Sequence, residues 1–297
     1  MKKPVFAIAI FFLIVSLSSI PTQAEERIGI NCNFYPEIKP FLSRIDPDKI
    51  SIKYFNGLEF YSAKIKGKEI VIFMGGADQA AASANLQKAI DEFKLTKIIV
   101  SGICGSISPD VHIGDVVIPE RWANHTYAYL SPKNKNFAPF FKPEAGFSVP
   151  YGFMYHDRKE LNLMVGYGDI VKEMMWFPVD GELMKVAGKI KSRVKLKKID
   201  TEKPRLLIGG NGVSGSWFVD NYEYRLHLRK YFKAEVVDIE SQALCQVAMM
   251  NRIPILVVRC VSDYAGNEKG EHNKALKNLF IAAGNSTEVV WKIIEEL

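Results

Sequence analysis

"VVDIESQALCQVAMMNRIPILVVRCVSDYAG", Val236–Gly266, decides the fold. A β-branched apolar run ends in a polar turn, and helical spacing follows over Ser241–Asn251. A second apolar run then begins at Ile253 and ends in Arg259, Ser262 and Asp263. Strand, helix and strand in such close succession are the unit of an α/β sheet. The second strand reads as fully buried, so a carboxylate at its carboxyl end is out of place in a core. In open α/β sheets that end is where ligands bind.

The same alternation extends outward. "RIGINC", Arg27–Cys32, is a strand and Tyr35–Arg44 has helical spacing. "KISIKYFNGLEFYSAKIKGKEIVIFMGG", Lys49–Gly76, reads as consecutive strands with hairpin signals at Asn56-Gly57 and Lys66-Gly67. A helix over Ala77–Phe93 leads into the strand and glycine loop "TKIIVSGICGS", Thr96–Ser106. From Gly181 the pattern predicts a helix to about Arg193, a strand at Arg205–Gly210 and a helix over Tyr222–Phe232. The strand and helix of the opening stretch follow, and a last helix runs from about Lys274 to Glu296. Between about residues 120 and 180, Pro132, Pro139, Pro143 and Pro150 interrupt any periodicity, which reads as an irregular insertion over the surface. The expectation is one α/β domain over residues 25–297, a mixed central β-sheet flanked by helices.

With 48% hydrophobic and 24% charged residues among 297, the chain is neither disordered nor fibrous. "MKKPVFAIAIFFLIVSLSSIPTQA", Met1–Ala24, has the basic, apolar and small-residue zones of a signal peptide, so export with cleavage near Ala24 is expected. The net charge of +6 includes Lys2 and Lys3. Much of the remaining excess lies between Lys185 and Arg205 without interleaved aromatics, a solvated face rather than a nucleic-acid surface. Cys32, Cys104, Cys245 and Cys260 read as buried thiols, with a Cys32–Cys104 disulfide as the alternative. No histidine has metal-ligand spacing, so no metal is expected. Asn124-His125-Thr126 and Asn285-Ser286-Thr287 match glycosylation acceptors.

Three strand ends deliver carboxylates: Glu37, Glu240 and Asp263. Each also has a structural explanation, the first two as first-turn residues and Asp263 as a helix N-cap. Glycine-rich turns at "MGGAD", "SGICGS" and "GGNGVSGSWF" bring backbone close to the same edge.

Taken together, "VVDIESQALCQVAMMNRIPILVVRCVSDYAG", "VSGICGSISPDVHIGDVVIP" and "RIGINCNFYPEIKPFL" resemble the nucleoside phosphorylase superfamily. The resemblance is closest to its methylthioadenosine/S-adenosylhomocysteine nucleosidase branch and that branch's secreted relatives. It implies that Asp263 is the general acid at the purine ring and that Glu37 activates water. Glu240 would bind the ribose hydroxyls, Ile239 would pack on the sugar, Phe218 would stack on the base, and the backbone at Phe218 and Val219 would read the base edge. Phe34, Ile103, Cys104, Gly105, Ser262 and Arg259 complete the candidate substrate-binding set. The implied partner is a purine nucleoside or base, in a homodimer and without a cofactor. The first loop, "NCNFYPEIK", has no arginine for phosphate, and Ile103 replaces a hydroxyl. Hydrolysis is therefore expected, with phosphorolysis through Arg121 or Arg259, or non-catalytic purine or cytokinin binding, as alternatives. A binder is the reading if Phe34 or Tyr35 fills the space in front of Glu37.

Overall fold

The computed structural model describes residues 26–55, 57–127, 129–130, 153–154, 176–199, 203–268 and 275–297. The signal segment and most of the expected insertion lie outside them. Among the described residues, fourteen strands and six α-helices follow in chain order. The first half comprises β1 (Arg27–Cys32), α1 (Tyr35–Leu42), β2 (Ser51–Phe55), β3 (Leu58–Ile65), β4 (Lys68–Met74), α2 (Gln79–Phe93), β5 (Lys97–Ser106), β6 (Val116–Ile118), β7 (Arg121–Asn124), β8 (Tyr129–Leu130), β9 (Phe153–Met154) and β10 (Phe177–Pro178). The second half comprises α3 (Gly181–Ile190), β11 (Leu206–Ile208), β12 (Asn211–Ser214), α4 (Tyr222–Phe232), β13 (Ala234–Asp238), α5 (Ser241–Met250), β14 (Ile255–Asp263) and α6 (Ala275–Glu296).

Polar side chains set several helix starts. Asp78, Asp180 and Asn221 accept from Ala81, Leu183 and Tyr224 N–H at 2.9, 2.9 and 2.8 Å. The β3–β4 hairpin turns at Lys66 and Gly67, both with positive φ, as its sequence signal requires.

The main sheet is mixed, in the order β10-β7-β12-β13-β5-β1-β4-β3-β2, with β14 on β5 and β6, and β11 on β6. Every residue of β14 is buried, in keeping with its unbroken apolar run. Strand β7 and its partner β10 fall inside the span read as an insertion, so the ends of that span belong to the sheet and Trp122 belongs to the core.

One feature of β5 makes the site. Its first half pairs in parallel with β1, from Ile28 on Lys97 to Asn31 on Val100. Its last residues, Gly105 and Ser106, pair antiparallel with Val237 and Val236 of β13. Between Val100 and Gly105, β1 has left and β13 has not arrived. This split exposes backbone groups to side chains instead of to a strand.

Helix α6 supports the opposite side of the split. Its buried Ser286 donates to Val258 O at 3.1 Å, pairs with Ser101 Oγ at 2.9 Å and accepts from Gly102 N–H at 3.1 Å. Ser286→Ala would leave the buried Gly102 N–H unsatisfied. The expected loss is about 1–3 kcal/mol, read by thermal unfolding as a midpoint several degrees lower. An unchanged midpoint would show that this hydroxyl does not hold the split.

Candidate functional site

The open edge of β5, the carboxyl ends of β1, β13 and β14, and the 216–219 loop enclose a cavity of about 210 Å³. All twelve residues singled out from the sequence line it: Phe34, Glu37, Ile103, Cys104, Gly105, Phe218, Val219, Ile239, Glu240, Arg259, Ser262 and Asp263. Asn33, Ala77, Trp217, Val237 and Asp238 line it as well and were not anticipated.

Glu37 is on the first turn of α1, yet its carboxylate turns inward. One oxygen accepts from Asn33 N–H at 2.7 Å and the other from Ile103 N–H at 2.8 Å, the backbone donor freed by the β1–β13 split. Burial drives its pKa up to about 7, against the pull of Arg259 and of the two backbone donors.

Arg259, 1% exposed, faces the cavity from β14. Its Nε lies 2.7 Å from Asp238 Oδ2, its Nη2 3.6 Å from Glu240 Oε2 and its Nη1 3.8 Å from Glu37 Oε1. Ser241 Oγ accepts from Nε and Nη2 at 3.0 and 2.9 Å. Burial works against the charge, but the three carboxylates outweigh it and hold the guanidinium protonated. Opposite it stands Gly102, where a Cβ would collide with both Arg259 Nη1 and Glu37 Oε1. Placed in the substrate-binding set, Arg259 lines the pocket with Nε and Nη2 bonded to Asp238 and Ser241 and Nη1 in ion-pair range of Glu37.

Glu240 is the N-cap residue of α5, but its side chain does not cap it. Asp238 takes that role, accepting from Ser241 N–H at 3.2 Å and from Ser214 Oγ at 2.6 Å. Glu240 is thereby left for the cavity, where burial, with Asp238 and Glu37 adding to it, raises its pKa to about 8 against Arg259. Asn33 Nδ2 donates to Glu240 Oε2 at 2.6 Å.

Asp263 ends β14 on the other side of the pocket and is not a helix cap. Oδ1 accepts from Ala265 N–H at 2.8 Å, an Asx turn, and Oδ2 accepts from Ser262 Oγ at 2.8 Å. A Cβ at Gly105 would lie 3.1 Å from Oδ1, so glycine keeps this carboxylate open to the cavity.

Trp217 and Phe218 form the outer wall, 44% and 62% exposed. Behind Trp217, the rings of His125 and Tyr224 lie at 6.1 and 5.4 Å, joined by a 2.9 Å hydrogen bond between His125 Nδ1 and Tyr224 OH. Burial lowers the His125 pKa to about 3, so this support is a neutral ring.

Signals for the missed residues were present. Asp238 stands two positions before Glu240 at a strand end, Asn33 two after Asn31, and Trp217 beside Phe218. The four cysteines are free and buried, and the Cys32–Cys104 bridge does not form. Asn285 is 1% exposed with Nδ2 donating to Lys197 O, and Asn124 Nδ2 donates to Gln79 and Gln242 Oε1, so neither acceptor triplet presents a free amide nitrogen in the fold.

A 5'-methylthioadenosine/S-adenosylhomocysteine nucleosidase of Aeromonas salmonicida is 26% identical over 249 residues, covering 81% of this chain and 87% of that protein. Among solved structures, the Helicobacter pylori 5'-methylthioadenosine/S-adenosyl homocysteine nucleosidase in complex with a pyrrolidine compound superposes with a TM-score of 0.69 at 22% identity. It covers 93% of this chain and 100% of that one. Futalosine hydrolase of Helicobacter pylori superposes with a TM-score of 0.68 at 20% identity, over 92% and 98% of the two chains. Residues 27–295 match the family described as the Phosphorylase superfamily, and the chain belongs to that family.

Proposed function

We propose that the protein hydrolyses the N-ribosidic bond of a purine nucleoside or thionucleoside, such as methylthioadenosine or S-adenosylhomocysteine, and releases the free base. The observation that carries this reading is the position of Glu37. Its carboxylate reaches the cavity, is fixed by two backbone donors and titrates near neutrality. Phe34 lines the cavity without displacing it, and Tyr35 is 58% exposed.

Rupture of the bond between C1′ and the purine nitrogen places positive charge on the sugar and negative charge on the base. Asp263 gives a proton to N7 of the departing ring. Water adds to C1′ and loses its proton to Glu37, while Glu240 holds the sugar. Ile239 packs on the sugar, and Phe218 with Val219 takes the base. These steps require no metal or organic cofactor.

Phosphate is a poor alternative nucleophile here. Arg259 already has Nε and Nη2 bonded to Asp238 and Ser241 and its charge faced by Glu37 and Glu240, and Glu37 would repel an anion. Arg121 is outside the cavity lining, bonded to Asn211 and placed over Trp176.

The reading includes export after cleavage near Ala24 and a homodimer. Leu276 and Phe280, one turn apart on α6 and 84% and 60% exposed, offer an apolar surface for a subunit contact, which light scattering on the mature chain would test.

Incubation with methylthioadenosine, S-adenosylhomocysteine, adenosine and inosine, with and without phosphate, tests the reaction. Base release independent of phosphate is expected. Release only with phosphate would make the protein a phosphorylase, and tight adenine binding without release would make it a binder. Asp263→Asn should lower kcat by about 10²–10⁴ while adenine still binds; unchanged turnover would remove Asp263 from the mechanism. Glu37 works as a base only when ionised, and its pKa is raised to about 7 by burial. The pH profile of kcat/KM should therefore fall on the acid side, about tenfold per unit below that value. A flat profile between pH 5 and 7 would exclude Glu37 as the base.

A further inference from the structure

Asn33 occupies a position that the reaction just described does not use. Its backbone N–H holds Glu37 and its side chain holds Glu240, so one residue joins the water-activating acid to the sugar-binding acid. The amide orientation is set from behind, because Asn31 Nδ2 donates to Asn33 Oδ1 at 2.9 Å and turns Nδ2 toward Glu240. This relay does not serve packing. Asn31 is fully buried, its Oδ1 has no hydrogen-bond partner among the described residues, and it lies where a Cβ at Gly75 would approach to 2.6 Å. An unsatisfied buried carbonyl destabilises a fold, and apolar side chains here would avoid it. The pair is explained by what it does to Glu240.

A carboxylate oxygen has two good acceptor directions. Glu240 Oε2 accepts from Asn33 Nδ2 at 2.6 Å and lies 3.6 Å from Arg259 Nη2, in ion-pair range. Among the described residues no side chain donates to Oε1. A carboxylate with both oxygens free can grip two vicinal hydroxyls; with Oε2 occupied only Oε1 is left, and two vicinal hydroxyls sit too close together to use both acceptor directions of one oxygen, so it offers a single well-directed bond to the sugar.

We propose that Asn33 is a specificity-determining residue: by occupying Glu240 Oε2 it makes the pocket read one sugar hydroxyl rather than two, so that purine nucleosides lacking one of the vicinal hydroxyls are accepted. This rests on the nucleosidase reading above. A site that depends on a hydroxyl rejects the analogue lacking it by several orders of magnitude. A site that does not depend on it shows no such penalty.

The experiment compares adenosine, 2′-deoxyadenosine and 3′-deoxyadenosine, by kcat/KM for the wild-type protein and Asn33→Ala, and by calorimetric affinity in an Asp263→Asn background. Wild type should accept at least one monodeoxy nucleoside within about tenfold of adenosine. Asn33→Ala frees Oε2, and its preference for adenosine over that analogue should rise by about tenfold or more, as for a gained hydrogen bond to a charged group. Asn31→Ala, which only releases the amide orientation, should move the preference in the same direction by less. The calorimetric arm separates the two ideas. If affinities shift with Asn33 but no base is released, hydrolysis fails and the role of Asn33 stands. Rejection of both deoxy nucleosides by wild type, or an identical preference in Asn33→Ala and wild type, would overturn the proposal.

Discussion

The site depends on one buried cation. A guanidinium 1% exposed at the floor of a cavity carries a desolvation penalty of several kcal/mol, and the fold offsets it with Asp238, Glu37 and Glu240. The balance is deliberately uneven, since one positive charge faces three carboxyl groups. Asp238 makes the short contact at 2.7 Å, and the two more distant acids are pushed up to about 7 and 8. Acids that hold or release protons near neutral pH are what a proton-transfer site needs. Burial is what raises these two acids; Arg259 tempers the rise and keeps them near neutrality without needing to touch a substrate.

That arrangement requires a break in the sheet. Had β1 continued along β5, Ile103 N–H would have bonded to a strand and Glu37 would have lost one of its two backbone anchors. Had β13 continued past Asp238 along β5, Glu240 would have been buried in the ladder. The pocket is the interval between a parallel partner that stops at Val100 and an antiparallel one that starts at Gly105. Glycine at 102 and 105 keeps the interval open, because any side chain there would strike Arg259 and Glu37 in one case and Ala265 and Asp263 in the other.

Much of this was legible in the residues. Val236–Gly266 showed its strand, helix and strand because burial on both faces leaves an unbroken apolar run. Glu37, Glu240 and Asp263 stood out because a carboxylate at the end of such a run needs a reason. Less legible was the division of labour at "VVDIES", where Asp238 rather than Glu240 caps α5. Two acids two residues apart look alike until the helix axis is known. Strand β7 was hidden because "RWAN" is too short to show a period and gains its place only by pairing with β12 and β10. The β5 split could not be read at all, since it depends on pairing with one segment tens of residues before β5 and another more than a hundred residues after it.

The choice of an amide at position 33 is itself informative. A lysine or arginine there would bring a second positive charge between Glu37 and Glu240 and pull both acids toward permanent ionisation. An aliphatic residue would leave Glu240 Oε2 facing Arg259 alone. Asparagine supplies a donor without charge, so it can occupy one oxygen of the carboxylate while leaving the shared protons of the Arg259 cluster nearly undisturbed. Position 33 therefore allows the sugar contact to change independently of the acid–base chemistry. Substrate choice and proton transfer are carried by different atoms of the same buried network.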